Sequence, residues 1–229
     1  MSEQNLLFTP MEINGMQLKN RLVRSATYEN MATEDGKATD QLINFYSKLA
    51  KGGVGLIVLG ATYVQENGHG LPCQIGISND DHIPGLQKLV DEIHDHDAKV
   101  ALQLYHAGRQ TTSATIGGQT PIAPSAIEPD PLYNTSPREM TEEEINETIN
   151  AFGAAAQRSK EAGFDAVQLH ARARPVLPAG NRRTSRCLPR AQKVILALPA
   201  GGHQPDPRHT EQHSRSLSHR DFLLQKKDR

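Results

Sequence analysis

Up to residue 170 the chain alternates between two hydrophobic periods. Residues 22–26, Leu-Val-Arg-Ser-Ala, read as a short strand. In residues 39–51, Leu42, Phe45, Tyr46, Leu49 and Ala50 fall at i, i+3, i+4, i+7 and i+8, which predicts a helix with one buried face. Gly52 and Gly53 stop it. The apolar run at 54–59 then has the character of a parallel strand covered on both faces. The same unit returns twice. Leu86, Leu89, Val90 and Ile93 mark a helix ahead of a strand at 99–104. Thr141-Glu142-Glu143-Glu144 offers a capping box for a helix that runs through Ile145, Ile149, Phe152, Ala155 and Ala156 to Gly163, with a strand at 164–169 behind it. Four strands joined by three helical crossovers imply a parallel α/β sheet with right-handed connections.

Polar residues gather where each strand ends. The first strand runs into Ser25-Ala26-Thr27, the second into Gly60-Ala61-Thr62, the third into Gln103 and His106, and the fourth into His170. In a parallel barrel all carboxyl ends lie on one face, so these groups are expected to converge there. The segment 110–138 carries Pro121, Pro124, Pro129, Pro131 and Pro137 and reads as an ordered loop over the barrel mouth. Arg109 either faces the pocket or braces the loop after the third strand. His94 and His96, two apart on a helix, point in different directions and read as solvated surface rather than a metal site.

Charge divides the chain at the same place as the periodicity. Residues 1–170 hold 12 Lys and Arg against 22 Asp and Glu, while residues 171–229 hold 13 against 4. A near-neutral total thus covers an acidic body and a basic tail that is rich in Pro, Arg and His and has no helical or strand period. The start has no basic segment followed by an apolar core, and no stretch approaches the roughly 20 apolar residues of a membrane span. A cytoplasmic protein without membrane partners is the expectation. Cys73 and Cys187 lie in no C-x-x-C pair, so neither a disulfide framework nor a zinc site is supported.

Five segments carry a family resemblance: Phe8-Thr9-Pro10, Leu18-Lys19-Asn20-Arg21-Leu22-Val23, Leu104-Tyr105-His106-Ala107-Gly108-Arg109, Ala123-Pro124-Ser125, and the run from Ala162 through Gly163-Phe164-Asp165 to His170. In order and spacing, residues 5–170 resemble the old yellow enzyme family, also called the NADH:flavin oxidoreductase family. The resemblance implies a TIM (β/α)8 barrel holding FMN at the top of its strands, of which this chain shows the first half. Ser25, Ala26 and Thr27 match the segment under the isoalloxazine ring. Ala61 matches the small residue whose backbone approaches the flavin, and Gln103 the amide at the pyrimidine edge, where a group that donates and accepts at once is suited. His170 matches the first member of a His-x-x-His or His-x-x-Asn pair that grips a substrate oxygen. Two donors there polarise an enone-like substrate for hydride delivery, with NADH or NADPH as reductant.

Departures from the family pattern are equally specific. Ala173 stands where the second His or Asn belongs, and Arg174-Pro175-Val176 replaces a Gly-Tyr-Leu whose Tyr is the usual proton donor. Gly60 replaces an acidic residue common at that strand end, and Tyr28 lies near where many members have Cys or Thr. No later segment resembles strands five to eight. The chain is therefore divided into a half-barrel, 1–170, and a basic tail, 171–229. A change of reading frame or a mis-spliced transcript explains that tail most economically. Nucleic-acid binding by the tail is disfavoured, because Phe222 is its only aromatic residue. Two readings of function follow: an FMN-dependent ene-reductase impaired in this chain, or a non-catalytic half-barrel that acts only through protein contacts. An oligomer is left open.

Overall fold

The computed structural model describes residues 5–170 and 195–198. A one-turn 3-10 helix at Leu6–Phe8 leads into a hairpin of β1 (Met11–Ile13) and β2 (Met16–Leu18), which pairs Met11 with Leu18 and Ile13 with Met16. Its two-residue turn, Asn14-Gly15, has φ of 47° and 84°, the left-handed pair that an Asn-Gly hairpin turn supplies. Met16 and Leu18 are buried against Leu56, Val58, Ala101 and Ala166 on one face of the main sheet. The hairpin therefore covers that face.

Four parallel strands in chain order build the main sheet: β3 (Val23–Arg24), β4 (Leu56–Tyr63), β5 (Lys99–Tyr105) and β8 (Ala166–Leu169). The crossovers are α1 (Asp40–Lys51), α2 (Ile83–His94) and α3 (Glu142–Glu161). Thr39 caps α1 by accepting from the Leu42 amide at 3.2 Å, and Gly53, at φ 91°, ends the turn that follows. The expected capping box is present on α3: the Glu144 amide donates to Thr141 Oγ1 at 3.2 Å, and the Thr141 amide donates to Glu144 at 2.9 Å. Leu42, Tyr46, Leu86, Leu89, Val90 and Ile93 pack on Ile57, Leu59, Val100, Leu102, Leu104 and Val167, so the helix-facing core is the larger of the two.

The expected elements are all present, with differences that have local causes. β4 runs to Tyr63 rather than residue 59, because it bulges past Gly60 instead of ending there. The buried line of α3 is Thr148, Ala155 and Ser159, while Ile149 is exposed. Thr148 donates to the Glu144 carbonyl at 2.8 Å and Ser159 to the Ala155 carbonyl at 2.7 Å, so both hydroxyls are satisfied within the helix and can be buried. The segment expected to be a loop contains β6 (Ile122–Ala123), which pairs in parallel with β7 (Arg138–Glu139). Within the tail expected to be aperiodic, β9 (Ile195–Ala197) pairs antiparallel with β8, and the Leu198 amide donates to the Asp165 carbonyl at 2.8 Å. The run Val194-Ile-Leu-Ala-Leu supports it, an apolar island that the polar average of the tail conceals. The remaining tail positions lie outside the described residues.

The amino ends of the strands are stapled by charged and amide side chains. Lys19 donates to the His96 carbonyl at 2.6 Å, Asn20 to the Gly53 carbonyl at 2.7 Å, and Arg21 to Thr9 Oγ1 at 3.1 Å. Asp165 accepts from His94 at 2.8 Å, Lys99 at 2.7 Å and the Val100 amide at 2.9 Å. His94 is thus a partner of Asp165 rather than a solvated surface group. Burial alone raises the Asp165 carboxyl, and the three donors outweigh it to hold the group below the usual carboxylate range. Because the folded state prefers the ionised form, this stabilisation is present above about pH 4 and is lost as the pH falls below that. Asp165→Asn is expected to cost about 2 kcal/mol at neutral pH, after allowance for the partly exposed Lys99 and His94. Thermal melts of parent and variant from pH 7 to 3 check this: the two curves should converge towards the acid end, and a constant gap would refute the assignment.

Candidate functional site

Strand pairing places the candidate residues before any side chain is considered. β5 and β8 run in parallel register with Leu102 opposite Val167, Gln103 opposite Gln168 and Leu104 opposite Leu169. Side chains alternate across a sheet, so with Val167 and Leu169 turned to the helices, Ala166, Gln168 and His170 share the opposite face. The same alternation puts Ala101, Gln103 and Tyr105 on that face of β5. Two rungs result. In the lower, Gln103 Nε2 donates to Gln168 Oε1 at 2.6 Å, and both residues are buried. In the upper, the Tyr105 and His170 rings meet edge to face with centroids 5.3 Å apart, and the His170 amide donates to the Leu104 carbonyl at 3.0 Å.

β4 closes over the lower rung with a backbone that has no side chain to spare. Leu59 pairs with Leu102 and Thr62 with Leu104, so Gly60 and Ala61 together face Gln103. Gly60 has φ 131°, and a Cβ built there would lie 2.9 Å from the Gln103 carbonyl oxygen and 3.0 Å from its Cβ. Ala61 is held from behind: its carbonyl accepts from Gln74 Nε2 at 2.8 Å, and Gln74 Oε1 accepts from the Gly70 and Leu71 amides at 2.9 and 3.2 Å. Gln74 therefore aims the Ala61 peptide.

The segment after β3 completes the face. Ser25 and Thr27 are exposed, and Ala26 packs against the cluster of Met16, Leu18, Leu56, Val58, Ala101 and Ala166. Ser25, Ala26, Thr27, Ala61, Gln103 and His170 thus stand at the carboxyl ends of four successive parallel strands, as the sequence led one to expect. His106 does not join them. It is buried, its Nδ1 accepts from the Gly108 amide at 3.0 Å, and its Nε2 faces Asn67 Oδ1 at 3.3 Å. Burial pushes this imidazole down to about 4, so it is a neutral brace for the loop. Arg109 also braces: Nη1 donates to the Glu128 carbonyl at 2.8 Å, and Nη2 lies 4.0 Å from Asp130. Position 173, where the family has its second oxygen-gripping residue, lies outside the described residues. Gln168 is the site residue that motif reading missed. Its place two residues before His170 on a strand was the available signal. No group of three or more potential metal ligands occurs among the described residues.

A parallel sheet with helices on one face and a polar rim at its carboxyl ends is one wall of an α/β barrel, the class of fold that holds its cofactor at that rim. Sequence and structure comparisons specify the family within that class. The NADH:flavin oxidoreductase / NADH oxidase family pattern matches residues 6–174, and the chain belongs to that family. It is 45% identical over 165 residues to the NADPH dehydrogenase of Bacillus cytotoxicus, a match covering 72% of this chain and 46% of that protein. It is 39% identical over 165 residues to the NADH oxidase of Thermoanaerobacter brockii, covering 72% of this chain and 25% of the relative. Morphinone reductase in complex with tetrahydroNAD superposes with a TM-score of 0.72 at 28% identity, covering 79% of this chain and 55% of that one. The old yellow enzyme homologue of Zymomonas mobilis gives 0.67 at 28% identity, covering 72% and 48%. The chain spans between a quarter and about half of the curated relatives it matches. FMN, with NADH or NADPH as reductant, is the cofactor of this family.

The residues present fit the ring of such a cofactor. Gly60 lets the β4 backbone lie close against Gln103, and one Gln103 side-chain N–H is committed to Gln168 while the amide oxygen and second N–H stay available to a heteroaromatic edge. Adding a side chain at Gly60 should be costly. Gly60→Ala is expected to lower stability by about 2 kcal/mol, from the left-handed φ and the backbone clash together. A urea denaturation series reads this directly, and an unchanged midpoint would show that the bulge can rearrange.

Proposed function

We propose that this chain carries the ring-binding and substrate-facing wall of an FMN-dependent oxidoreductase that passes reducing equivalents from NADH or NADPH to an electron-poor alkene such as an enone. The observation that supports this most is the pair of rungs on one sheet face, Gln103 with Gln168 and Tyr105 with His170, beside the Gly60-Ala61 bulge of β4. FMN bound there supplies two-electron hydride transfer. The chain's own residues bind and orient. Gln168 fixes the Gln103 amide so that its free acceptor and donor meet the pyrimidine edge. Gln74 presents the Ala61 peptide, Ala26 lets the ring approach the β3 end, and His170 offers an imidazole N–H to a substrate oxygen.

Catalysis by this chain is proposed to be weak, because Ala173 supplies no second donor and Arg174-Pro175-Val176 supplies no phenol to return a proton. A non-catalytic role through protein contacts is the second reading. It draws on the exposed Leu6, Leu7 and Phe8, tied to the start of β3 by the Arg21 amide donating to the Leu7 carbonyl at 3.0 Å, beside an open strand edge with an exposed Val23.

The two readings separate in a flavin titration of the full chain. The groups assigned here serve the ring and none serves a phosphate, so lumiflavin and FMN are expected to bind within about threefold of each other. A charge-assisted phosphate site worth about 2 kcal/mol would instead favour FMN some thirtyfold. Gln103→Leu should weaken both ligands about tenfold through loss of two hydrogen bonds. A protein purified with stoichiometric FMN would refute the proposed impairment, and failure to bind either flavin would favour the protein-contact reading.

A further inference from the structure

Behind the Ser25–Thr27 segment lies a side-chain relay that the flavin reading leaves unused. The Arg24 guanidinium folds forward along its own chain. Nη1 donates to the Ser25 carbonyl at 2.5 Å and to the Thr27 hydroxyl, while Nη2 meets Glu29 Oε1 at 2.9 Å. Glu29 is the deeper partner, its side chain 8% exposed against 26% for Arg24. From α1, the fully buried Tyr46 turns its hydroxyl to the same carboxylate. Glu29 also lines a narrow cleft with Tyr28, Leu42, Gly60, Ala61 and Cys73, so it sits between the β3 end and the β4 bulge.

Stability gives little reason for a carboxylate in this place. Burial raises Glu29, and the hydrogen bond from Tyr46 and the charge of Arg24 only partly offset that. A charge held where burial disfavours it is commonly replaceable by an apolar residue without loss. The fork geometry of Arg24 gives a better reason. A guanidinium donates in one plane, and a carboxylate gripping one arm fixes where the other arm points. With Glu29 in place, Nη1 holds Ser25 and Thr27 at once. Without it, a long and partly exposed side chain is free to leave for solvent.

Resting on the flavin reading above, we propose that Glu29, acting through Arg24, is the positioning residue for Ser25, Ala26 and Thr27, and so for the edge of the cofactor that this segment faces. Tyr46 keeps the carboxylate in place, and Tyr28 and Cys73 are the other titratable groups at the cleft.

The test is Glu29→Gln in the full chain, read by backbone 15N order parameters, which need no flavin. At Ala26, Thr27 and Tyr28 the parent should show rigid values of about 0.85, falling towards 0.6 in the variant, with residues 100–104 of β5 unchanged. Acidification should lower order at the same three residues in the parent, as Glu29 protonates, and leave the variant flat. Arg24→Met should match Glu29→Gln, and the double variant should add nothing further. Unchanged order at residues 26–28 overturns the proposal, and so does a loss spread evenly through β5, which marks a merely structural role. Should Glu29→Gln not fold, Tyr46→Phe carries the same test: loss of order confined to 26–28 supports the proposal, and unchanged order there overturns it. Lumiflavin affinity reports separately. A parent that binds no flavin but shows the ordered segment defeats the flavin reading while leaving the positioning role measurable.

Discussion

The register of β5 against β8 is the constraint on which the rest of the site depends. Side chains alternate, so a slip of one residue would send Gln168 and His170 to the helices and Val167 and Leu169 to the face opposite them. Two devices hold the register from the amino end. The Asp165 carboxylate takes the Val100 amide and the Lys99 ammonium, and the Asp165 amide donates to the Val100 carbonyl at 2.9 Å. The residue that sets the pairing is thus five positions from the imidazole it places. The motif around it reads as an active-site signature, yet its Asp serves as the pin and its His as the group so positioned.

Much of the rest of the signature is also scaffold. Lys19, Asn20 and Arg21 reach loop carbonyls and a hydroxyl at the amino ends of the strands, far along β4 and β5 from Gln103. His106 and Arg109 brace the segment after β5. A family resemblance therefore reports two things at once, the groups that touch ligand and the groups that fix strand ends. Only the geometry separates them.

Periodicity made the core legible because helix and strand faces obey fixed repeats. Leu86, Leu89, Val90 and Ile93 are all buried, as their spacing requires. It failed where polarity and burial part company. Thr148 and Ser159 are inside because α3 satisfies their hydroxyls itself, which a hydrophobic stripe does not register. The bulge of β4 needed knowledge of its partner strand, since two residues faced by one is a property of a pair. The placement of Ser25, Ala61, Gln103 and His170 near the carboxyl ends of the strands was legible through strand order. Glu29 was not, because Tyr46 meets it from α1 and Gly60 shares its cleft from β4, both far along the chain.

β8 has one free row of backbone donors and acceptors, and β9 occupies it running the other way. A fifth parallel strand would need that same row. The two are alternative tenants of a single edge, so barrel closure on this side and the β9 pairing exclude each other. Polarity carries the matter further: β9 ends beside Asp165, at the amino ends of the parallel strands. A parallel occupant would deliver its carboxyl end to the rim where Gln103 and His170 stand, whereas this one delivers it to the base. The direction of one three-residue strand thereby ties the outer edge of β8 to the base of the sheet rather than to its rim.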